Sequence, residues 1–322
     1  MRARRVLGLL FVLAGLTAGG CGGDDGGNGA PPQRHAGGAV VVARRQVAPR
    51  LVDITVRSPA LGRTAKVRLL TPPGWRPAAG GRRWPVLWLL HGCCDTYRSW
   101  SRSSDIARLP ALRRVLVVMP EGGAVGFYSD WYNGGRGGPP RWETSHLAEL
   151  RGLLERDYGA GSRRAIAGLS MGGLGAIAYA ARHPGLFAAT ASYSGVVSTL
   201  RHASYITGIA SLGTSDPEAL WGSPTAQRRV WAAHDPVELA PKLRGTRVFV
   251  SSGNGRPGPF DRPRRTDPIE SALHGENVEL VRRLRAAGVP ATVDLYGPGT
   301  HSWPYWQREL HRSLPLLLRD LG

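Results

Sequence analysis

Ser170 stands in Gly168-Leu169-Ser170-Met171-Gly172, between an apolar stretch ending in Ala165-Ile166-Ala167 and a run of small residues from Leu174 to Ala181. A serine at a strand-to-helix turn has its hydroxyl pushed clear of the sheet, and flanking glycines keep that turn free of Cβ clashes. The helix start behind it offers backbone N–H groups where an oxyanion would form, Met171 N–H first among them. A serine hydroxyl is a weak nucleophile until a base takes its proton and an acid holds the base in the right tautomer. In such a strand order the acid and then the base follow the serine along the chain. His301, in the loop Gly297-Pro298-Gly299-Thr300-His301-Ser302-Trp303 after an apolar run, is the best base. His183 and His234 read as structural at helix ends, His274 as part of a Gly-adjacent turn, His311 as solvated on the last helix, and His146 and His202 as facing solvent. The acid stays open among Asp261, Asp267, Glu270 and Glu276. A second oxyanion amide belongs to the loop after an earlier strand, and Cys93 in His91-Gly92-Cys93-Cys94 is the candidate, with His91 ordering the turn rather than taking a proton.

These groups need a scaffold that brings distant loops together. Alternation in Val52, Ile54 and Val56, and again in Val67 and Leu69, predicts two antiparallel strands over 51–56 and 64–70. Continuous apolar runs at 85–90, 115–119, 165–167, 247–250 and 291–296 predict strands covered on both faces. Helical spacing separates them at 145–158, 275–287 and 305–321, and the less regular 208–231 reads as a cap beside the site. The fold class is therefore α/β: a doubly wound, mostly parallel sheet with antiparallel N-terminal strands, and the candidate residues fall where strands end.

The chain has 322 residues and a formal charge of +19. Residues 1–20 read as a signal peptide, with Arg2, Arg4 and Arg5 before an apolar run from Val6 to Leu16 that is too short to span a bilayer comfortably. Small residues lead directly to Cys21, as at the lipidation site of bacterial lipoproteins; plain signal cleavage is the alternative. Residues 21–38, rich in glycine with Pro31 and Pro32, read as a flexible tether, and 39–322 as the folded domain. The expectation is an exported chain, extracellular or held on the outer face of the cytoplasmic membrane by lipid on Cys21. Loss of the leader lowers the charge to +16, because it carries three arginines and no acid. The arginines are scattered in pairs and no nucleic-acid module is visible, so attraction to an anionic envelope surface is expected and nucleic-acid binding is not. Cys93 and Cys94 lack a matching ligand pair for zinc; they are read as either packed thiols or a vicinal disulfide. No metal or cofactor is expected.

Several blocks resemble an esterase family of α/β-hydrolases, and within it the antigen 85 type mycolyltransferases. They are His91-Gly92-Cys93-Cys94-Asp95 with Trp100, Met119-Pro120-Glu121-Gly122-Gly123 with Phe127 to Tyr132, Glu143-Thr144, the Ser170 pentapeptide, Ser192 to Gly195, Ser252 to Gly255, and Thr300 to Trp306. The resemblance covers 52–321 and implies an α/β-hydrolase fold. Carried over position by position, it implies Glu270 as the acid, 31 residues before His301, and so Ser170, Glu270 and His301 as catalytic residues. It also implies Cys93 and Met171 as backbone oxyanion donors, with Asp130, Trp131 and Trp303 as candidate substrate contacts. Cys94 stands where mycolyltransferases carry an arginine that helps hold trehalose, and it cannot supply that fork of donors. The segment Arg98-Ser99-Trp100 departs from the family's asparagine-bearing one, and Gly172-Gly173 replaces small alanine or serine residues.

The implied activity is that of an exported serine esterase or acyltransferase working on carboxylic esters, lipid or glycolipid esters among them, through an acyl-enzyme. Mycolyltransferase-like transfer to a sugar or glycerol is one alternative, and a noncatalytic envelope- or matrix-binding protein on a hydrolase scaffold is another.

Overall fold

Nine strands form one sheet in the order β1-β2-β3-β5-β4-β6-β7-β8-β9 in a computed structural model that describes residues 38–77, 81–319 and 321. The strands are β1 (Val40–Ala48), β2 (Leu51–Ser58), β3 (Arg63–Leu70), β4 (Trp84–Leu90), β5 (Leu116–Pro120), β6 (Ala160–Leu169), β7 (Ala189–Tyr193), β8 (Arg247–Ser252) and β9 (Ala291–Leu295). The first three pair antiparallel and β3 joins β5 antiparallel; the β5-β4-β6-β7-β8-β9 run is parallel throughout. This is the α/β-hydrolase arrangement that the strand pattern anticipates.

Both faces of the sheet are covered, which explains the unbroken apolar runs. Along β4, Val86, Trp88 and Leu90 enter one apolar cluster and Leu87 and Leu89 the other. The first cluster is closed by the helices Met171–Arg182 and Pro268–Ala286, the second by the helix Trp303–Leu318 together with Trp100, Ile106 and Leu112. From β4 the chain crosses to β5 on one side and then returns to β6 on the other. The loops after β4 and β6 consequently flank a topological switch point, where α/β sheets form crevices. Leu90 pairs with Gly168, so His91 and Ser170 leave the sheet at nearly the same level.

Sequence patterning misses β1 and β7. β1 is an exposed edge strand whose Arg44-Arg45 pair breaks the apolar alternation, and β7 is Ala-Thr-Ala-Ser-Tyr, small enough to lie between two neighbours but poor in β-branched residues. The helix expected over 275–287 begins at Pro268 instead, with Asp267 as its cap, a proline-at-N1 signal that apolar spacing alone overlooks. The helix expected over 145–158 starts at Trp142 and passes through a π-helical turn at Ser145–Leu150 into Arg151–Asp157. The expected cap, 208–231, holds the end of the helix Ala203–Ala210 and most of a further short helix, Arg228–Ala232. No helix among the described residues is long and apolar enough to cross a membrane. The expected leader, the tether up to residue 37 and Cys21 lie outside the described residues.

Candidate active site

Ser170 adopts φ 54° and ψ −123°, a conformation that L side chains rarely take and that marks stored strain at functional turns. It occupies the N-cap position of the 171–182 helix, yet its side chain makes no capping hydrogen bond, so the hydroxyl is not consumed by the helix. The turn closes only because its neighbours are glycines. A Cβ on Gly168 would lie 2.0 Å from Gly172 O, and one on Gly172 would lie 2.4 Å from Leu90 O and 2.6 Å from His91 O. A Cβ on Gly92 would lie 3.2 Å from Ser170 Cβ, which places the post-β4 loop directly against the serine.

That loop is braced from behind. Gly122 N–H donates to His91 Nε2 at 2.9 Å, so the ring proton is on Nδ1, which donates to Gly92 O at 2.8 Å. Burial lowers the His91 pKa, and a neutral ring with both nitrogens engaged has no capacity to act as a base. Tyr128 Oη donates to His91 O, and Cys94 N–H to Ala124 O, with Cys94 at φ 63°. Neither Cys93 N–H nor Met171 N–H is hydrogen-bonded among the described residues. Cys93 and Cys94 are free thiols, and burial pushes the Cys93 thiol upward, away from the reactive thiolate.

Glu270 is wholly buried on the first turn of the 268–286 helix. Its Oε2 accepts from His301 Nδ1 at 2.8 Å, and its Oε1 accepts from Ser194 Oγ at 2.7 Å and Gly253 N–H at 2.6 Å. Three donors compensate the buried charge, the condition under which a buried carboxylate is tolerated. His301 is only 15% exposed through its side chain and meets the Trp306 ring edge-on at 4.8 Å between centroids. The four contributors leave adjacent parallel strands: Ser170 from β6, Ser194 from β7, Gly253 from β8 and His301 from the loop after β9. Ser170 N–H donates to Tyr193 O and Val196 N–H to Ser170 O, which ties the first two together.

The other acid candidates have different partners. Asp267 caps the helix through Oδ1, accepting from Ile269 N–H and Glu270 N–H, while its Oδ2 accepts from His301 N–H at 2.8 Å. One carboxylate therefore ties the backbone of Glu270 to that of His301, a linkage sequence reading did not anticipate although the Asp-Pro cap signal was present. Asp261 accepts from Gly258 N–H, Tyr305 Oη and Thr300 Oγ1. Glu276 accepts from Val197 N–H and Ser198 N–H.

Three histidines depart from expectation. His146 is buried rather than solvated: Nε2–H donates to Glu121 O, Nδ1 accepts from Tyr179 Oη, and burial brings its pKa down to about 4. His274 lies inside a helix, with Nδ1 3.1 Å from Ser252 Oγ. His202 is half-buried, its Nε2 3.7 Å from Glu276 Oε1. Of the candidate substrate contacts, Asp130 spends both oxygens on Thr144 and Arg141, and Trp131 is buried with Nε1–H donating to Gly126 O. Both sets of bonds brace the 130–144 segment. Trp303 is half-buried, edge-on to Trp100 and Trp306.

A family model described as "Putative esterase" matches residues 58–317. An esterase of Mycobacterium tuberculosis is 34% identical over 259 residues, 77% of this chain and 55% of that protein, so the chain spans about half that relative's length. The diacylglycerol acyltransferase/mycolyltransferase Ag85B of Mycobacterium leprae is 32% identical over 288 residues, 83% of either chain. Among solved structures, Mycobacterium tuberculosis MPT51 superposes with TM-score 0.67 at 27% identity, covering 82% of this chain and 96% of that one. An S-formylglutathione hydrolase from Agrobacterium tumefaciens, 18% identical, has the same fold with TM-score 0.66 over 88% of this chain and 99% of its own.

Proposed function

The chain belongs to this esterase family, and from that membership we propose that it is an exported serine esterase or acyltransferase whose acyl-enzyme forms on Ser170. The observation that carries the proposal is the buried Glu270–His301 hydrogen bond, tied through Ser194 and Gly253 to the ends of β7 and β8, with Ser170 at the end of β6 and its hydroxyl left free. His301 Nδ1–H is held by Glu270, which leaves Nε2 to take the Ser170 proton as the oxygen attacks an ester carbonyl. Glu270 stabilises the resulting imidazolium. The unpaired Met171 and Cys93 amides receive the tetrahedral oxyanion. Collapse expels the alcohol, protonated by His301, and water or another hydroxyl then attacks the acyl-enzyme by the same steps in reverse. Trp303, half-buried in the aromatic wall behind His301, is assigned to the acyl-binding side. Asp130 and Trp131 act through the fold, bracing the 130–144 segment rather than touching the ester.

Transfer to a sugar or glycerol hydroxyl is the second reading, favoured by the 83% coverage of a mycolyltransferase; Cys94 argues against trehalose as the acceptor. The basic start and the small residues before Cys21 support export with lipid on Cys21. Fluorophosphonate labelling located at Ser170 by mass spectrometry, with loss of p-nitrophenyl butyrate turnover in Ser170→Ala, is the expected result. Unchanged turnover in that variant refutes the assignment of Ser170, whereas a folded wild-type protein with neither fluorophosphonate labelling nor turnover leaves the noncatalytic binding reading in its place. Product analysis with a labelled acyl donor and added glycerol separates hydrolysis from transfer, and fatty-acid labelling abolished by Cys21→Ala tests the anchor.

A further inference from the structure

Exposed large apolar side chains are few among the described residues: Val42 and Val47 on the edge strand β1, and Tyr205, Leu212 and Phe260. The last three lie on two segments, Phe260 in the 256–265 loop and Tyr205 and Leu212 on and just after the Ala203–Ala210 helix. Phe260 packs on Tyr305, and its N–H donates to Tyr305 Oη, beside the loop that carries His301. That contact belongs to a broader seam in which Gly255 N–H donates to Gly299 O, Gly299 N–H to Arg256 O, and Thr300 Oγ1 to Asp261. Tyr205 stands on the Ala203–Ala210 helix, whose start is held against the 268–286 helix by His202 Nε2, 3.7 Å from Glu276 Oε1. Leu212 follows that helix, where Gly213 abuts Val125 next to the Ala124 carbonyl that takes Cys94 N–H. The two segments thus meet the oxyanion loop and the histidine loop from opposite chain regions, and their apolar tips are exposed there.

The 256–265 segment adds charge to these tips. Arg256, Arg262, Arg264 and Arg265 are all exposed, and none has an ion-pair partner among the described residues. The one acid of that segment, Asp261, is engaged by Tyr305 and Thr300, and Asp267 just beyond it is engaged by His301 N–H and the helix N–H groups. Arg262 and Arg264 donate to the loop carbonyls of Asp261 and Pro257, and four exposed cations beside a half-exposed aromatic ring form the composition that binds an anionic lipid interface: the arginines meet headgroup charge and the apolar tips enter the acyl boundary.

We propose that the rim formed by the 256–265 loop and the 203–212 segment docks on an anionic lipid surface, facing the site mouth toward it. The docking needs no catalysis; its use in presenting a lipid ester to Ser170 rests on the acyl-chemistry reading.

The test is co-sedimentation of the full chain, with Cys21→Ser in every protein, on vesicles of phosphatidylcholine alone or with about 30% phosphatidylglycerol. Ser170→Ala is included, so that binding is read independently of turnover. Binding is expected only with phosphatidylglycerol, undiminished in Ser170→Ala and weakened between about 0.1 M and about 0.5 M salt. Each arginine at such a surface is worth about fivefold in partitioning, so Arg262→Gln with Arg265→Gln should weaken it about 25-fold. Phe260→Ser should weaken it about tenfold. The charge-matched control Arg282→Gln with Arg283→Gln, on an exposed helix face, should leave it within about twofold. Equal losses in rim and control variants, or no preference for phosphatidylglycerol, overturn the proposal. Equal binding to heparin with no effect of Phe260→Ser also overturns it, and points to a polyanion instead.

Discussion

Replacing Glu270 by glutamine tests the candidate site at its most constrained atom pair. The substitution keeps size and shape, so its effect is that of charge and proton position. Gly253 N–H and Ser194 Oγ–H both point at Oε1, at 2.6 Å and 2.7 Å. A glutamine must keep its oxygen there, because turning its NH2 inward would set donor against donor at Gly253. The NH2 group then faces His301 Nδ1, which must become an acceptor, and the ring proton moves to Nε2. That nitrogen can no longer take the Ser170 proton, and no carboxylate remains to stabilise the imidazolium. A wrong tautomer in a geometrically intact serine site lowers kcat by about 10⁴, or about 5 kcal/mol in barrier. The assay is steady-state hydrolysis of p-nitrophenyl butyrate beside fluorophosphonate labelling rates, with thermal melts to show that the fold persists. KM should change little, since no ester contact is lost. Turnover within about tenfold of wild type refutes the reasoning, because Glu270 would then be filling space rather than holding a tautomer.

Asp267→Ala removes a helix cap and the acceptor for His301 N–H, so melts should show a loss of about 2–3 kcal/mol, with kcat falling more than KM. Asp267→Asn should recover most of the stability as a good cap but not kcat, because its NH2 would oppose His301 N–H; full recovery of both contradicts the positioning role. Gly168→Ala sets a Cβ 2.0 Å from Gly172 O, a backbone atom, and urea unfolding should show a loss of about 2–3 kcal/mol with slower labelling of Ser170. Burial pushes Glu276 up to about 7, against the lowering hydrogen bonds from Ser198 and Val197 and with Asp235 and Glu279 nearby. A carboxyl with a raised native pKa holds its proton more tightly when folded, so its contribution is complete below the unfolded value of about 4.5 and fades as pH rises toward 7. Glu276→Gln should therefore gain stability relative to wild type between pH 5 and pH 8, by up to about 3 kcal/mol; a difference constant with pH overturns this assignment.

The central architecture was legible because burial on both faces leaves an unmistakable trace. β4 and β5 are built of apolar residues throughout and so read as strands wherever they sit in the sheet. β7 left no such trace, since Ala-Thr-Ala-Ser-Tyr becomes a strand only when β6 and β8 supply hydrogen bonds on both edges. Histidines were misplaced for a similar reason. Whether His146 meets water or Tyr179 depends on what packs over it, and its own neighbours in the chain do not encode that.

The site divides in the same way. The sequence alone determined the tight turn at Ser170, because the requirement for glycine there is local: a Cβ on Gly168 or Gly172 would collide with backbone a few residues away or on the neighbouring strand end. It also determined that a post-strand histidine was available at position 301. Residue patterning left the acid open among Asp261, Asp267, Glu270 and Glu276, and only the family resemblance pointed to Glu270. Tertiary structure distributed them: Asp261 to Tyr305, Asp267 to the two backbones, Glu276 to the turn after β7, and Glu270 to the imidazole. The physical reason is that a carboxylate's role is set by which donors reach it. The donors to Glu270 come from residues 194, 253 and 301, brought together only when three adjacent strands pair in register.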